Sequence, residues 1–383
     1  MARLVTCGFE LNSTGSGVEY TTNSSATIQT SIVRSGKYAL RNNTSSGTTQ
    51  VRINLTTSDQ GRSGFARLYL YIASLPSVNT DIIRWINQSG TTVARMRLNT
   101  DGTLNLINTT GSTVSTASSA LSTATWYRVE MQNNASAATG VLTGLLDGVQ
   151  FGSGNNSIQG QWARVDVGVR TTCTADLYMD DIAVNDSTGG SQNTWPGAGS
   201  IVHCHPNAAG DSTQWTIGGS SAAGTNFGSV SEETPDDGVT LVKDGTLNHA
   251  DMYGIDATAI PPRSTVNVVA VGVRYNNDTA DATAAFKAQI EKAPSGTKSQ
   301  SAAIVPNSTT WVTNGAQAAV HPLITYTDPD GSAWTRGTLD TAQIGVITST
   351  AGTNKCQVSD LWAAVEYVAP TSSPNSTMAL LGV

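Results

Sequence analysis

The chain has 383 residues, 13% of them charged and 38% hydrophobic, with 37 glycines and a formal net charge of −7. Glu occurs only seven times and Lys six, too few for a helical bundle or coiled coil, and the acidic balance argues against nucleic-acid binding. Val, Ile, Leu, Tyr and Trp recur in short alternating runs, which excludes disorder and predicts an all-β chain long enough for two domains.

Met1-Ala2-Arg3 runs straight into a strand-like Leu4–Glu10 stretch, with no apolar leader ahead of it. No run approaches the roughly 20 apolar residues of a spanning helix. The expectation is synthesis in a cytoplasm and no membrane contact. Ala66, Leu68, Leu70 and Ile72 then line one face of a strand whose other face carries Phe65, Arg67, Tyr69 and Tyr71. Strand patterns follow over Asp81–Ile86, Val93–Leu98 and Thr103–Ile107, with Asp101-Gly102 as a hairpin turn between the last two. Trp126–Met131 and Ala163–Arg170 flank a second hairpin at Asp147-Gly148. Residues 1–186 therefore read as an antiparallel sandwich or jelly roll.

Residues 187–199 crowd Gly, Ser and Pro without periodicity and read as a linker. Residues 200–369 restart with Ser200–His205 and hold strand patterns over Thr265–Tyr275, Ala342–Ile347 and Leu361–Val368. Ala280–Lys292 is expected as a strand, because Lys287, Gln289 and Glu291 alternate with Ala288 and Ile290. The fold class is thus all-β: two β-sandwich, jelly-roll-like domains, the linker, and an extended arm over 370–383. The arm's apolar end, Met378, Leu380, Leu381 and Val383, is the candidate assembly contact.

Charge is unevenly placed. Residues 1–190 carry 13 Lys+Arg against 12 Asp+Glu, a net of +1, and residues 191–383 carry 8 against 16, a net of −8. Lys37 stands alone among twelve arginines in the first half. The plainer reading is ordinary surface arginines; the sharper one is arginines that meet an acidic partner. Cys7, Cys173, Cys204 and Cys356 lie near the two ends of each half. They fit either Cys7–Cys173 and Cys204–Cys356 pairs or four reduced, buried thiols.

Gly36-Lys-Tyr-Ala-Leu40, Thr125-Trp-Tyr-Arg-Val-Glu130, Leu145-Leu-Asp-Gly-Val149 and Asp176-Leu-Tyr-Met-Asp-Asp-Ile-Ala-Val184 stand in this order along the first half. In that order they resemble laminin-G-like, concanavalin A-like jelly rolls. The opening Met1–Glu10 resembles the start of tailed-bacteriophage structural proteins, and the second half, ending in Gln357–Tyr367, is similar to modules of those proteins. The resemblance implies a virion component on an ancestral carbohydrate-binding scaffold.

The β-glucan hydrolases of that superfamily carry a Glu-x-Asp-x-x-Glu strand, which Glu10, Glu19 and Glu130 do not reproduce. No His precedes residue 203. No catalytic residue, metal or cofactor is therefore expected. Asp180 and Asp181 suit Ca²⁺ by chemistry, but a strand-end pair, one carboxylate on backbone N–H groups and the other solvated, is the favoured reading. Asp328-Pro-Asp-Gly331 looks like a calcium loop but has Leu339 at the twelfth position, so a turn is expected. His203 and His205 share a strand face, with His249, Asp251 and His321 as the available extras. They read as polar residues at a domain entrance rather than zinc ligands. Trp85, Asn87, Trp162 and Arg164 are the candidate sugar contacts.

The resulting expectation is a non-enzymatic phage virion protein on the capsid or tail surface, as a decoration, fibre-type or minor tail protein. It would act by assembly and adhesion, as a homo-oligomer such as a trimer, with other virion proteins and a host glycan as partners. A carbohydrate-binding tail receptor module is the alternative, and a polysaccharide-degrading enzyme a distant third.

Overall fold

A computed structural model describes residues 2–56, 58, 60–135, 140–156, 161–221, 223–280, 283–315 and 317–370. The arm residues Met378, Leu380, Leu381 and Val383 lie outside the described residues. The chain is nearly all β. Its helical elements among the described residues are a 3₁₀ turn at Phe227–Ser229 and one turn of α-helix at Arg336–Leu339.

Residues 3–186 build a twelve-stranded antiparallel sheet folded over into two layers. The fold turns on one 23-residue strand, Arg164–Asp186. Its first part, Arg164–Val167, pairs on one side with Val51–Asn54 and on the other with Ile83–Ile86. Its later part, Asp176–Met179, pairs with Leu40–Asn43 and with Leu70–Ser74. Alternation sends Val165, Val167, Leu177 and Met179 inward, where they join Val51, Ile53, Leu68, Leu70, Ile83 and Met96 in one core. The Asp147-Gly148 hairpin forms as expected, with φ of 51° and 87°, the left-handed pair of a type I′ turn.

Residues 200–368 form a second sandwich of a seven-stranded and a five-stranded sheet. Ala285–Glu291 is a strand of the smaller sheet. The larger sheet centres on Thr265–Asn277 and Cys356–Val368, paired along almost their whole length. Their central stretches, Val268–Val273 and Leu361–Val365, are apolar on both faces, because both faces are covered. Val269, Val271, Leu361, Ala363 and Val365 face the sandwich core. Val268, Ala270, Trp362 and Ala364 face the first sandwich, against Leu11 and Val18.

The 187–199 segment differs from a free linker. Trp195 packs on Phe65 with ring centroids 5.4 Å apart. Glu130 accepts a 2.8 Å hydrogen bond from the Gly197 N–H, and the Thr194 carbonyl accepts one from Asn185. A Gly- and Pro-rich sequence here follows a defined path because the first sandwich supplies partners for its backbone.

Candidate functional site

The contact between the sandwiches is built around three charges. Glu366, on the outward face of the Cys356–Val368 strand, accepts 2.7 Å and 2.5 Å hydrogen bonds from Arg3 and Arg67. All three side chains are fully buried. Burial alone would raise the Glu366 pKa, but the two guanidinium groups hold it below the usual carboxylate range. Asn185 accepts from Arg3 Nε, and the Asp181 carbonyl accepts from Arg67 Nε and Nη2 at 3.1 and 3.0 Å. Most of the remaining hydrogen-bonding capacity of the buried ions is thereby met.

Asp180 and Asp181 are both buried and belong to the same contact. Asp180 accepts from the backbone N–H groups of Arg34, Ser35 and Asp181. Asp181, at φ 53°, accepts from the Arg34 guanidinium, from the Ser35 hydroxyl and, across the contact, from the Ile201 N–H at 2.6 Å. The expected solvated carboxylate is therefore a correction: a second element from the other sandwich covers it. Burial, reinforced by the adjacent Asp181 charge, pushes the Asp180 pKa well up.

Beside this contact a cleft of about 350 Å³ opens between the Lys37 turn and the Pro206 strand, lined also by His203, His205, Glu233 and Asp256. Glu10 lines an adjoining pocket that shares Lys37, His203, His205 and Glu233 with the cleft. Burial pushes Glu10 up to about 9 while Lys37 and Tyr38 donate backbone hydrogen bonds to it. Burial likewise pushes Glu19 up to about 7. His203 stacks on Trp362 with centroids 5.5 Å apart, and its Nε2 lies 3.8 Å from Glu19. Burial lowers His203 well below its usual value and holds His205 and His321 at about 4. At neutral pH the three imidazoles and Glu10 are uncharged, so His203, His205 and Glu10 give the cleft and its adjoining pocket a lining suited to hydrogen bonding. At the rim, Glu233 is paired with Lys37 and accepts from Tyr38.

His203 and His205 are thus interface residues, with ring centroids 6.0 Å apart. Among the described residues, no group of three or more His, Cys, Asp or Glu is placed to hold a metal ion. Asp328 forms a turn, accepting from the Asp330 and Ser332 N–H groups, with Gly331 at φ 87°. The four cysteines are buried free thiols.

The sugar-contact residues fare unequally. Trp85 and Trp162 are 0% exposed and pack on each other at 5.0 Å inside the first sandwich. They are core, and no sugar ring can stack on them; this is a correction. Asn87 folds its own hairpin turn, accepting from the Thr91 N–H at 2.7 Å. Arg164 reaches solvent on a face described below.

An outward aromatic row was missed. Pairing sets Arg41, Tyr178, Tyr71 and Trp126 side by side on four strands. Tyr71 lies 5.7 Å from Tyr178 and 5.4 Å from Trp126, and Arg41 sits over Tyr178 while paired with Asp176. Tyr71 and Trp126 are half-buried rather than enclosed. The signal for Tyr71 was its position opposite Leu70 and Ile72 in an alternating strand; the row itself depends on cross-strand register.

No protein-family model matches the chain, and no curated protein matches it in sequence. Among solved structures, a sialidase aligns at 11% identity and a TM-score of 0.37, covering 48% of this chain and 19% of the sialidase. The binding domain of botulinum neurotoxin serotype D aligns at 12% identity and 0.36, covering 70% and 74%. The alginate lyase AlyC3 aligns at 10% and 0.31, covering 38% and 74%. Among the described residues no helix is long and apolar enough to cross a membrane.

Proposed function

We propose that this chain is a non-enzymatic structural protein of a phage virion, displayed on the capsid or tail surface and acting by assembly and adhesion. The observation that carries this reading is the fusion of the two sandwiches. Interfaces between domains of one chain are commonly polar and permit relative motion. Here a buried Arg3–Glu366–Arg67 set, an apolar layer of Leu11, Val18, Trp362 and Ala364, and a clamped connector join the two. A part that holds a surface outward on a particle needs that stiffness, whereas a hinge enzyme needs its absence.

The test is immunogold electron microscopy of particles released from the cells that encode the chain. Label at one fixed place on the particle is expected, and particles without label overturn the reading. Mass photometry of the full chain beside a chain ending at Ala369 tests the arm. An oligomer that dissociates on truncation is expected, and two equally monomeric samples remove the arm from the proposal.

A carbohydrate-binding receptor module is the second reading, favoured by the Arg41–Tyr178–Tyr71–Trp126 row. Aromatic faces beside a bidentate Arg–Asp pair offer both stacking and directed hydrogen bonds.

A further inference from the structure

The arginine bias of the first half has a structural address. Pairing places Arg52, Asp166, Arg84 and Arg95 directly beside one another on four neighbouring strands. Arg97 lies two residues beyond Arg95 on the same face, and Arg164 two residues before Asp166. The alternate residues Val51, Val165, Val167, Ile83 and Met96 fill the core, so the arginines face outward.

Among the described residues, two carboxylates serve them. Asp166 is held by Arg52 at 2.8 Å, with Arg170 at 3.8 Å. Asp81 is shared by Arg84, Arg97 and Arg95 at 2.6, 3.0 and 3.7 Å. Six arginines against two aspartates leave four positive charges in excess. The Nε groups of Arg95, Arg164 and Arg170 are buried without a hydrogen-bond partner. Burial lowers the pKa of all three, and neighbouring arginines push each further the same way. Like charges crowded on one face cost stability, and a cost of this kind marks groups kept for a ligand.

We propose that this face binds an anionic polysaccharide of the uronate type, whose carboxylates repeat along the chain. Guanidinium groups match carboxylates in a planar, two-point fashion. Strands spaced about 4.8 Å apart spread the charges across a broad outward surface, which suits an extended, repeating ligand better than a single ion. The face supplies the ligand class for the adhesive role and rests on that role, not on the virion location. Particle labelling and glycan binding can therefore fail separately.

The test is isothermal titration of the full chain with polygalacturonate, neutral dextran and a duplex DNA of 20 base pairs. Polygalacturonate should bind, more weakly as salt rises, and dextran should not. The double variant Arg95→Ala/Arg164→Ala should lose about tenfold or more in affinity, with a melting temperature unchanged or raised. Arg95→Lys/Arg164→Lys keeps the charge but not the fork and should also bind more weakly. The proposal is overturned if polygalacturonate fails to bind, if the alanine variant binds as the parent does, or if DNA binds as tightly as polygalacturonate. Lysine variants that bind as the parent does would overturn the two-point recognition.

Discussion

Arg67 and Arg164 lie in the same sandwich and are used in opposite ways. Arg67 is fully buried, and Glu366 and the Asp181 carbonyl take up its donors. Its pKa is raised, because the charges of Glu366 and Asp181 outweigh the burial that would lower it. Among the described residues, Arg164 has no carboxylate within ion-pair distance; it keeps an unbonded Nε and is lowered by burial and by Arg52. The contact between sandwiches is electrostatically closed; the open face is electrostatically unfinished. A closed set fixes structure, while an unfinished one is available to a ligand.

The largest expected effect comes from breaking the closed set. Glu366→Gln leaves Arg3 and Arg67 buried without a counter-charge, and unfolding in urea should show a loss of about 3–5 kcal/mol. A loss below about 1 kcal/mol would mean that water reaches the contact and the sandwiches are not fused. Gly272→Ala tests the apolar part. A Cβ at Gly272 would lie 2.2 Å from the Trp362 indole, so Trp362 must shift off Ala270 and Leu11. Overpacking of this kind costs about 1–3 kcal/mol by the same measurement.

A smaller effect is read through pH. Glu10 has a folded pKa of about 9 and Glu19 of about 7, both raised by burial. Between the ordinary carboxylate value and these values the folded chain binds more protons than the unfolded one, so stability falls as pH rises. His205 and His321, at about 4, do the reverse: their contribution is complete above about 6.5 and is lost as pH falls towards 4. The two slopes oppose each other in mild acid, and from pH 7 to 9 Glu10 contributes a falling slope beside the buried Asp180 and Asp360, whose values burial also raises. Chemical denaturation across that range should show stability falling in the parent and a flatter profile in Glu10→Gln. Equal slopes in both would remove Glu10 from the buried contact.

Much of the fold was legible because it rests on local pattern. Alternation in Phe65–Ile72 and Ala285–Glu291, and the Asp147-Gly148 pair, are properties of neighbours in sequence. The site was hardly legible, because its partners are distant: Arg67 and Glu366 are 299 residues apart. Trp85 and Trp162 illustrate the failure. Beside polar neighbours they looked like a platform, yet Trp85 belongs to the inward set with Ile83, and Gly64 leaves room for both rings: a Cβ there would lie 2.7 Å from Trp85 and 2.9 Å from Trp162. The runs Val268–Val273 and Leu361–Val365 were read as strong strands. Their lack of a polar face also carried the news that a second body covers them, which composition alone does not say.

The smallest expected effect is the sharpest for the comparison. Arg164→Ala removes a cation that has no ion-pair partner among the described residues and is crowded by Arg52, so the lost packing of its stem is offset by relieved repulsion. Urea unfolding should place the variant within about 0.5 kcal/mol of the parent, against several for Glu366→Gln. If Arg164→Ala instead costs as much as breaking the buried set, the outward arginines are structural and the distinction between closed and unfinished charge sets fails. If it costs nothing while anionic-glycan affinity falls, stability and binding have been separated within one residue type. The arginine excess of the first half then reflects selection for a surface rather than for a fold.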